Sequence, residues 1–326
     1  MPAAPLQVAL RPAEDADGLR LKVITPPIGW QVIDLAELWR YRELLYFFAW
    51  RDVKVRYKQT LLGAAWAVIQ PLLMMVVFTA FLGRLAGQPA GDAPYPLYVF
   101  AGLVPWMFFA TAVGSASNSV VSSESIITKI YFPRMLVPFA AVGAAVVDCV
   151  CALGVLLAML AYYRVWPGWS ILLVPLIIGL IGIAALGVGT LLAALNVAYR
   201  DVKYAIPFLL QLWMFATPAI YMGPGVEPAS DMAAPNAAHA TTSQGPAPLA
   251  DPGAKTASLK SQLLPDLKDI LKLNPMNRFV RFLRAAALGR PLPWIDLVWG
   301  AAIAVAVLGF GVVYFRRIEN TFADII

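Results

Sequence analysis

Long apolar blocks alternate with short polar stretches along most of this chain. A helix that crosses the hydrocarbon core of a bilayer needs about 20 mostly apolar residues. Six blocks meet this requirement, and they predict six membrane-spanning helices at residues 60–83, 97–121, 136–161, 171–195, 204–222 and 294–315. Several blocks contain proline, which spanning helices tolerate because neighbouring helices satisfy the freed backbone groups.

The composition leads to the same fold class. Apolar residues make up 60% of the 326 residues, charged residues only 13%, and the mean hydropathy is +0.71. A soluble domain carries about 25% charged residues. We therefore predict an all-α polytopic membrane protein.

Neither a metal site nor a nucleic-acid partner is expected. Cys149 and Cys151 are two apart in an apolar block, so on a helix they point in different directions, and His239 has no second ligand nearby. The net charge of +6 comes from basic residues that flank apolar blocks, as membrane topology alone requires.

Basic residues also predict the orientation of the spans. They concentrate before the first span, between spans two and three, between spans four and five, and after span six, whereas the short loops on the other side hold only Arg84 and Arg164. Cytoplasmic loops carry the excess of Lys and Arg. Both termini are therefore predicted to be cytoplasmic.

Residues 34–59, just before the first span, are predicted to form an amphipathic helix. At 100° per residue Arg40, Arg51, Lys54 and Lys58 fall on one side, and leucines and aromatic residues gather opposite. This pattern favours a helix along the membrane surface with its basic face toward water or anionic phosphate. A simple topology anchor is the alternative.

The stretch "SESIITKIYFPRML", residues 123–136, predicts a short amphipathic helix between spans two and three. Ser123 can cap it, Glu124 suits its first turn, and Pro133 ends it. Its apolar stripe of Ile126, Ile127, Ile130 and Tyr131 exceeds what a solvated loop needs. The stripe either folds back on the bundle or docks a cytosolic partner.

The polar region before the last span has two parts. Residues 223–262 are rich in Ala, Pro, Gly and Ser and read as a flexible external insert. Residues 263–292 predict external amphipathic helices of an interfacial or re-entrant kind. One apolar face follows the spacing i, i+3, i+4, i+7 and consists of Phe279, Phe282, Leu283 and Ala286. Three arginines are displaced from this face, namely Arg278, Arg281 and Arg284.

Asp148 is predicted to be a buried acid near the middle of span three. A carboxylate there costs about 2.5–3.5 kcal/mol on insertion scales, so it should face the bundle and have a partner, or be protonated. A structural hydrogen-bonding role and a part in gating or proton coupling both remain open.

Four segments together resemble the permease subunit of the ABC exporters for polysaccharides and polyol phosphates, which move O-antigen, capsular polysaccharide and teichoic acid. They are "RDVKVRYKQTLLGAAWAVIQPLL", "KIYFPRMLVP", "NVAYRDVKY" and "LNPMNRFVRFLR", in the family's order over about residues 34–320. The insert at about 224–262 departs from the family's compact external loop, so nothing is carried over onto it.

The resemblance implies the transmembrane subunit of an ATP-driven exporter. Two copies would form a channel that moves a polyprenyl-diphosphate-linked, O-antigen-like polysaccharide across the bacterial inner membrane, with two copies of a cytosolic ABC ATPase. The sequence contains no G-x-x-x-x-G-K-[ST] loop. We therefore expect no enzyme activity and no cofactor on this chain, with ATP and Mg held by the partner ATPase.

The resemblance also implies roles for three groups of residues. Contact with the ATPase falls on segment 123–134, with Glu124, Ile127, Lys129, Tyr131, Phe132, Pro133 and Arg134. The lipid diphosphate would meet Arg40, Arg51, Lys54, Arg56 and Lys58 on helix 34–59, since interfacial cations pair readily with phosphate oxygens. The external gate maps onto Asn274, Pro275, Arg278 and Arg281.

Aromatic side chains could line a path for the glycan, because sugars stack on aromatic rings without fixed register. The candidates are Trp66, Phe78, Trp106, Phe109, Trp213, Phe215 and Tyr221. Core packing or a lipid-facing belt is the alternative for each of them.

These predictions divide the chain into six regions. They are the cytoplasmic N-terminal arm (1–33), the interfacial helix (34–59), spans one to five with segment 123–134 (60–222), the insert (223–262), the external gate helices (263–292), and span six with a cytoplasmic tail (293–326).

Three other functions are alternatives to the export of a polysaccharide. An ABC permease for a drug or a lipid fits the same ATPase-contact motifs. A membrane enzyme acting on lipid-linked glycans would need convergent carboxylates or histidines, whereas the acids of the external loop are scattered. A secondary transporter usually shows internal repeats and several buried charges.

Overall fold

Helices form the whole of the described fold. The computed structural model describes residues 39–58, 63–81, 94–129, 132–199, 201–217 and 274–319, and no strand occurs in these ranges. The predicted N-terminal arm, the external insert, Tyr131 and Tyr221 lie outside the described residues.

The α-helices are labelled in chain order. They are α1 (Arg42–Tyr57), α2 (Trp66–Phe78), α3 (Tyr95–Ser122), α4 (Glu124–Ile127), α5 (Leu136–Tyr162), α6 (Val174–Ala198), α7 (Val202–Ala216), α8 (Pro275–Ala287) and α9 (Trp294–Glu319). Short 3₁₀ helices, Gly63–Ala65 and Gly168–Leu173, precede α2 and α6.

Four helical stretches are long and apolar enough to cross a membrane. They are Tyr95–Ser122, Leu136–Tyr162, Gly168–Ala198 and Trp294–Glu319, and they coincide with the second, third, fourth and sixth predicted spans. The first and fifth predicted spans appear as shorter apolar helices, Trp66–Phe81 and Val202–Ala216. The prediction of an all-helical, multi-pass chain is therefore confirmed.

Helix α3 is the centre of the bundle. It packs against α2, α5, α6, α7 and α8, and most of its residues are buried. Its Phe100 and Phe109 are fully enclosed, as are Phe279 and Phe282 of α8. The apolar face predicted for α8 from its spacing is thus a core face.

Helices α6 and α9 meet backbone to backbone. A Cβ atom at Gly187 would lie 2.5 Å from the backbone nitrogen of Leu308, and one at Gly311 would collide with the Gly187 carbonyl. Small residues permit such close approach between membrane helices, where van der Waals packing drives association.

A second apolar cluster joins the helix ends at one side of the bundle. It combines Val120 from the end of α3 and Leu136 from the start of α5 with Val197 and Phe315 from the ends of α6 and α9. Leu45 and Phe48 of α1 pack against it. This cluster holds segment 123–134 against the bundle, as described below.

Helix α1 packs lengthwise along the first half of α5. A Cβ atom at Gly143 would lie 3.6 Å from the Ala49 Cβ, and five residues later on α5 Asp148 meets Arg56. The two helices therefore run side by side in the same direction. The end of α1 thus reaches the middle of a helix long enough to span the membrane, and the position of α1 on the membrane surface stays a prediction.

Candidate functional site

A cavity of about 410 Å³ lies between α1, α2, α3 and α5. Its wall combines aromatic rings with polar side chains, namely Trp66 and Gln70 from α2, Phe108, Thr111 and Ser115 from α3, and Asp148 from α5. Residues four apart on a helix share one face. The pairs Trp66/Gln70 and Thr111/Ser115 therefore present two facing stripes to the same space.

Asp148 finds its partners at the end of α1. The Arg56 guanidinium donates to Asp148 Oδ2 and forms an ion pair with it, and the Tyr57 hydroxyl donates to Asp148 Oδ1. A second terminal nitrogen of Arg56 donates to Ser115 Oγ at 3.2 Å. The structure thus supplies the partner that the sequence required for this acid but did not identify.

The arrangement explains how a carboxylate is tolerated in a long apolar helix. Asp148 lies 12 residues after the start of α5, about 18 Å along its axis at 1.5 Å per residue. The Asp148 and Arg56 side chains are 22% and 29% exposed, so water screens the pair only in part. Opposite charges and hydrogen bonds to both carboxylate oxygens offset the desolvation of each group.

The five cations predicted to meet a lipid diphosphate separate into two groups. Arg40, Lys54 and Lys58 are exposed on α1 and its ends. Arg51 donates to Asp52 at 2.8 Å and to Ser123 Oγ at 3.5 Å, and Arg56 is held by Asp148. Only the first group therefore presents its charge outward. The periodicity of α1 placed Arg51 on the same side as Arg40, Lys54 and Lys58, and it could not show that Arg51 would contact Asp52 and Ser123.

In its described residues, 123–129 and 132–134, segment 123–134 contains one short helix and folds onto the bundle. Helix α4 is four residues long, and Ser123 makes no side-chain capping hydrogen bond, in contrast to the predicted cap. Ile127 and Phe132 are buried in the second apolar cluster, whereas Glu124 and Lys129 are exposed. Of the two options left open, folding back is observed for the apolar residues in the described part of this segment.

Two contacts tie this segment to its neighbours. The Phe132 ring packs edge-on against Phe48 of α1 with centroids 5.3 Å apart. After Pro133, the Arg134 backbone N–H donates to Glu319 Oε1 at 3.1 Å, and its guanidinium donates to the Glu319 carbonyl. Helices α1 and α9 thus both contact the segment between α3 and α5 and hold it against the bundle.

Helix α8 starts with a capped turn and carries the predicted gate residues. Asn274 Oδ1 accepts from the Met276 backbone N–H at 3.0 Å and from Trp213 Nε1 at 3.2 Å, and its Nδ2 donates to Thr217 Oγ1 at 2.8 Å. Pro275 occupies the first turn, where its missing N–H has no cost. The cap thereby joins α8 to the end of α7.

Asp296 at the start of α9 pairs with two arginines of α8. Its carboxylate lies 3.1 Å from Arg278 Nη1 and 3.2 Å from Arg281 Nη1, and Asp296 is itself buried. This buried acid was not identified from the sequence, whereas the predicted acid Asp148 is only half-buried. The sequence did contain a signal for Asp296. It is the third residue of a predicted span, and two arginines precede it by 15 and 18 positions.

The placement of Arg284 corrects a prediction. It was expected to be displaced from the apolar face, but it is 6% exposed and stacks on the Tyr98 ring at 4.0 Å. Its Nη1 donates to the Tyr98 hydroxyl at 3.1 Å. Burial lowers the pKa of Arg284 to about 10, so it remains charged at neutral pH.

The candidate aromatic path does not form one exposed surface. Trp106 and Phe109 are buried, and Phe109 packs edge-on against Trp213 with centroids 5.2 Å apart. Trp66 and Phe215 are exposed, and Phe78 is partly buried. In the described chain, core packing thus accounts for Trp106, Phe109 and Trp213.

Metal chemistry has no candidate in the described ranges, where no group of three or more His, Cys, Asp or Glu side chains converges. Three features remain: a polar cavity beside α1, segment 123–134 packed at one end of the bundle, and the arginine-rich helix α8. Together with several apolar spans, these define a multi-pass membrane protein with polar groups inside its helix bundle.

Comparison with known proteins identifies the class. The sequence profile of the ABC-2 type transporter family matches residues 43–230, and this chain belongs to that family. The predicted resemblance to ABC exporter permeases is thereby confirmed.

Individual relatives carry more specific names. The chain is 32% identical over 185 residues to the O-antigen export system permease protein RfbA of Myxococcus xanthus, covering 57% of this chain and 70% of that protein. It is 31% identical over 181 residues to RfbA of Klebsiella pneumoniae, covering 55% and 69%. It is 20% identical over 164 residues to the polysialic acid transport protein KpsM of Escherichia coli, covering 49% and 63%.

Proposed function

We propose that this chain is the transmembrane subunit of an ATP-driven ABC exporter that moves a polyprenyl-diphosphate-linked, O-antigen-like polysaccharide across the bacterial inner membrane. The observation that carries the proposal is the family membership together with relatives at 31–32% identity that are named O-antigen export permeases. Two copies of the chain form the channel, and two copies of a cytosolic ABC ATPase hydrolyse ATP with Mg.

The proposed topology has six spans with both termini in the cytoplasm. The shorter helices Trp66–Phe81 and Val202–Ala216 supply the first and fifth spans, beside the four long ones. The six predicted regions, from the N-terminal arm (1–33) to span six and its tail (293–326), follow from this topology. The positive-inside distribution of Lys and Arg supports it.

Segment 123–134 is the proposed contact with the ATPase. Its apolar residues Ile127 and Phe132 are buried in the bundle, which leaves Glu124 and Lys129 on the outer side. Because the segment contacts α1 and Glu319 of α9, a displacement of the segment by the ATPase would also displace these helices while the segment stays packed on the bundle. ATP hydrolysis on the partner would thus reach the helices of this chain.

The exposed cations of α1 are the proposed contact with the lipid diphosphate. Arg40, Lys54 and Lys58 are available for phosphate oxygens, whereas Arg51 and Arg56 brace α1 against Ser123 and Asp148. The glycan path is proposed to include the exposed rings of Trp66 and Phe215. Asn274, Pro275, Arg278 and Arg281 are proposed to form the external gate.

Depletion of the chain in its own cell tests the proposal. Polyprenyl-diphosphate-linked glycan is extracted and sized from both faces of the inner membrane. We expect full-length glycan to accumulate on the cytoplasmic side, because synthesis continues while export stops. Normal glycan at the surface would instead favour an ABC permease for a drug or a lipid, and shortened glycan would favour a membrane enzyme.

A further inference from the structure

The cavity beside α1 contains polar groups that the fold leaves unused. Within the part of the chain that the structure describes, neither the Gln70 amide nor the Thr111 hydroxyl has a hydrogen-bond partner. An amide offers two donors and an acceptor, and a hydroxyl offers one donor and an acceptor. Thr111 is half-buried, and buried polar groups are normally paired, so its hydroxyl favours a polar occupant; the Gln70 amide is exposed and accessible to the same occupant.

The charges in the cavity wall already cancel. Arg56 and Asp148 are its charged side chains in the described ranges, and both carboxylate oxygens accept hydrogen bonds from α1. A small cation would find no open carboxylate, and an anion would have to displace Asp148 from Arg56. An uncharged ligand leaves the pair intact.

Aromatic rings share the wall with these polar groups. Trp66 is 47% exposed and lies on the same face of α2 as Gln70, while Phe108 precedes Thr111 and Ser115 on α3. An acyl chain would cover these rings but leave the half-buried Thr111 hydroxyl without a partner, which is unfavourable. A ligand with an apolar face and a rim of hydroxyl groups matches both kinds of group in the wall.

We propose that this cavity is a binding site for one or two neutral sugar rings, which stack on Trp66 and form hydrogen bonds with Gln70 and Thr111. The volume of about 410 Å³ lies within the usual range for small-molecule sites, about 300–1,000 Å³. The inference rests on the proposed function, since it places part of the exported glycan inside a single copy of the chain, beside the helix proposed to meet its lipid carrier.

Ligand protection of an engineered cysteine tests the site directly. Ala67 lines the cavity and takes no part in the proposed contacts, so Ala67→Cys serves as a reporter in a background with Cys149→Ala and Cys151→Ala. The full-length chain in nanodiscs is treated with a maleimide. The probes are fragments of one to four sugars cut from the host's own surface polysaccharide, with inorganic diphosphate as a separate probe.

We expect saturating sugar fragments to slow the labelling of residue 67 at least fivefold, and diphosphate to leave the rate unchanged. Adding Trp66→Ala should abolish this protection. The control Trp299→Ala removes an equally exposed ring on α9, outside the cavity, and should keep it. Protection by diphosphate alone, or no protection by the fragments, would overturn the proposal.

Export by the same variants separates this inference from the proposed function. In one outcome, depletion traps glycan in the cytoplasm, but the double variant Thr111→Val, Trp66→Ala exports glycan at the normal rate and the sugar fragments do not protect residue 67 from labelling. This outcome refutes the sugar site and supports the proposed function as an exporter. If depletion leaves surface glycan unchanged, the exporter is refuted, and the labelling assay still decides whether the cavity binds sugars.

Discussion

Breaking the Arg56–Asp148 pair tests the main polar contact of the bundle. We consider Arg56→Gln, Asp148→Asn and the double variant. Each single change leaves one charge beside the cavity without its counter-charge, whereas the double variant leaves two neutral amides that can still form a hydrogen bond. Asp148→Asn also retains an oxygen that accepts from Tyr57.

The size of the effect follows from how much water reaches the pair. Removing one partner of a fully buried pair costs about 3–5 kcal/mol, and an exposed pair contributes about 0–1 kcal/mol. With side chains 29% and 22% exposed, this pair lies between those limits. We expect each single variant to lose about 2 kcal/mol of unfolding free energy, and the double variant to lose much less than the sum, with a coupling of about 1 kcal/mol or more.

Reversible unfolding of the purified chain in mixed detergent micelles, titrated with SDS, measures these losses. A change of 1–2 kcal/mol alters the folded-to-unfolded ratio by a factor of about 5–30, which such a titration resolves. The matched control is Asp52→Asn, because Asp52 is similarly exposed and, among the described residues, pairs with its neighbour Arg51 on the same helix alone. The control should lose under about 1 kcal/mol.

One result would refute this reasoning. If the losses of the two single variants add up in the double variant, then Arg56 and Asp148 do not stabilise the fold through each other. An unchanged free energy for Asp148→Asn would lead to the same conclusion, and would remove the structural explanation for an acid inside α5.

Three further changes test separate contacts by the same unfolding measurement. Gly187→Ala should lower the free energy of unfolding by about 1–3 kcal/mol because its Cβ would lie 2.5 Å from a backbone nitrogen of α9. The control Gly179→Ala, whose Cβ would have no neighbouring atom within 4 Å, should be neutral or slightly stabilising. Equal effects of the two changes would contradict the close approach of α6 and α9. Phe132→Ala should cost about 3–5 kcal/mol because it empties a buried site beside Phe48, and a loss below about 1 kcal/mol would mean that segment 123–134 does not pack there. Asn274→Ala removes the cap of α8 and should cost about 1–2 kcal/mol, and an unchanged midpoint would show that α8 starts without it.

Much of the fold could be predicted because hydrophobicity in a membrane chain is a local signal. The long apolar blocks became α3, α5, α6 and α9, and the spacing of Phe279, Phe282 and Leu283 identified the buried face of α8. Each of these predictions depends on residues within one or two helical turns of each other.

The pairings that define the site depend on residues far apart in the chain. Arg56 and Asp148 are 92 positions apart, and the resemblance grouped Arg56 with the cations of the lipid-diphosphate site because no local pattern shows which helix α1 will meet. Arg284 was assigned to the polar side of α8 for the same reason, whereas the ring of Tyr98, 186 positions away, makes its burial favourable. Asp296 was not identified because its role depends on two arginines that α8 places beside it.

Helix α9 has anchored charges near both of its ends. Glu319 holds Arg134 at one end, and Asp296 holds Arg278 and Arg281 of α8 near the other, about 35 Å away at 1.5 Å per residue. Between them, α9 packs backbone to backbone against α6 at Gly187. We therefore expect α9 to act as a rigid link, so that a displacement of segment 123–134 by a fraction of a helical turn also displaces α8 at the other end of the helix.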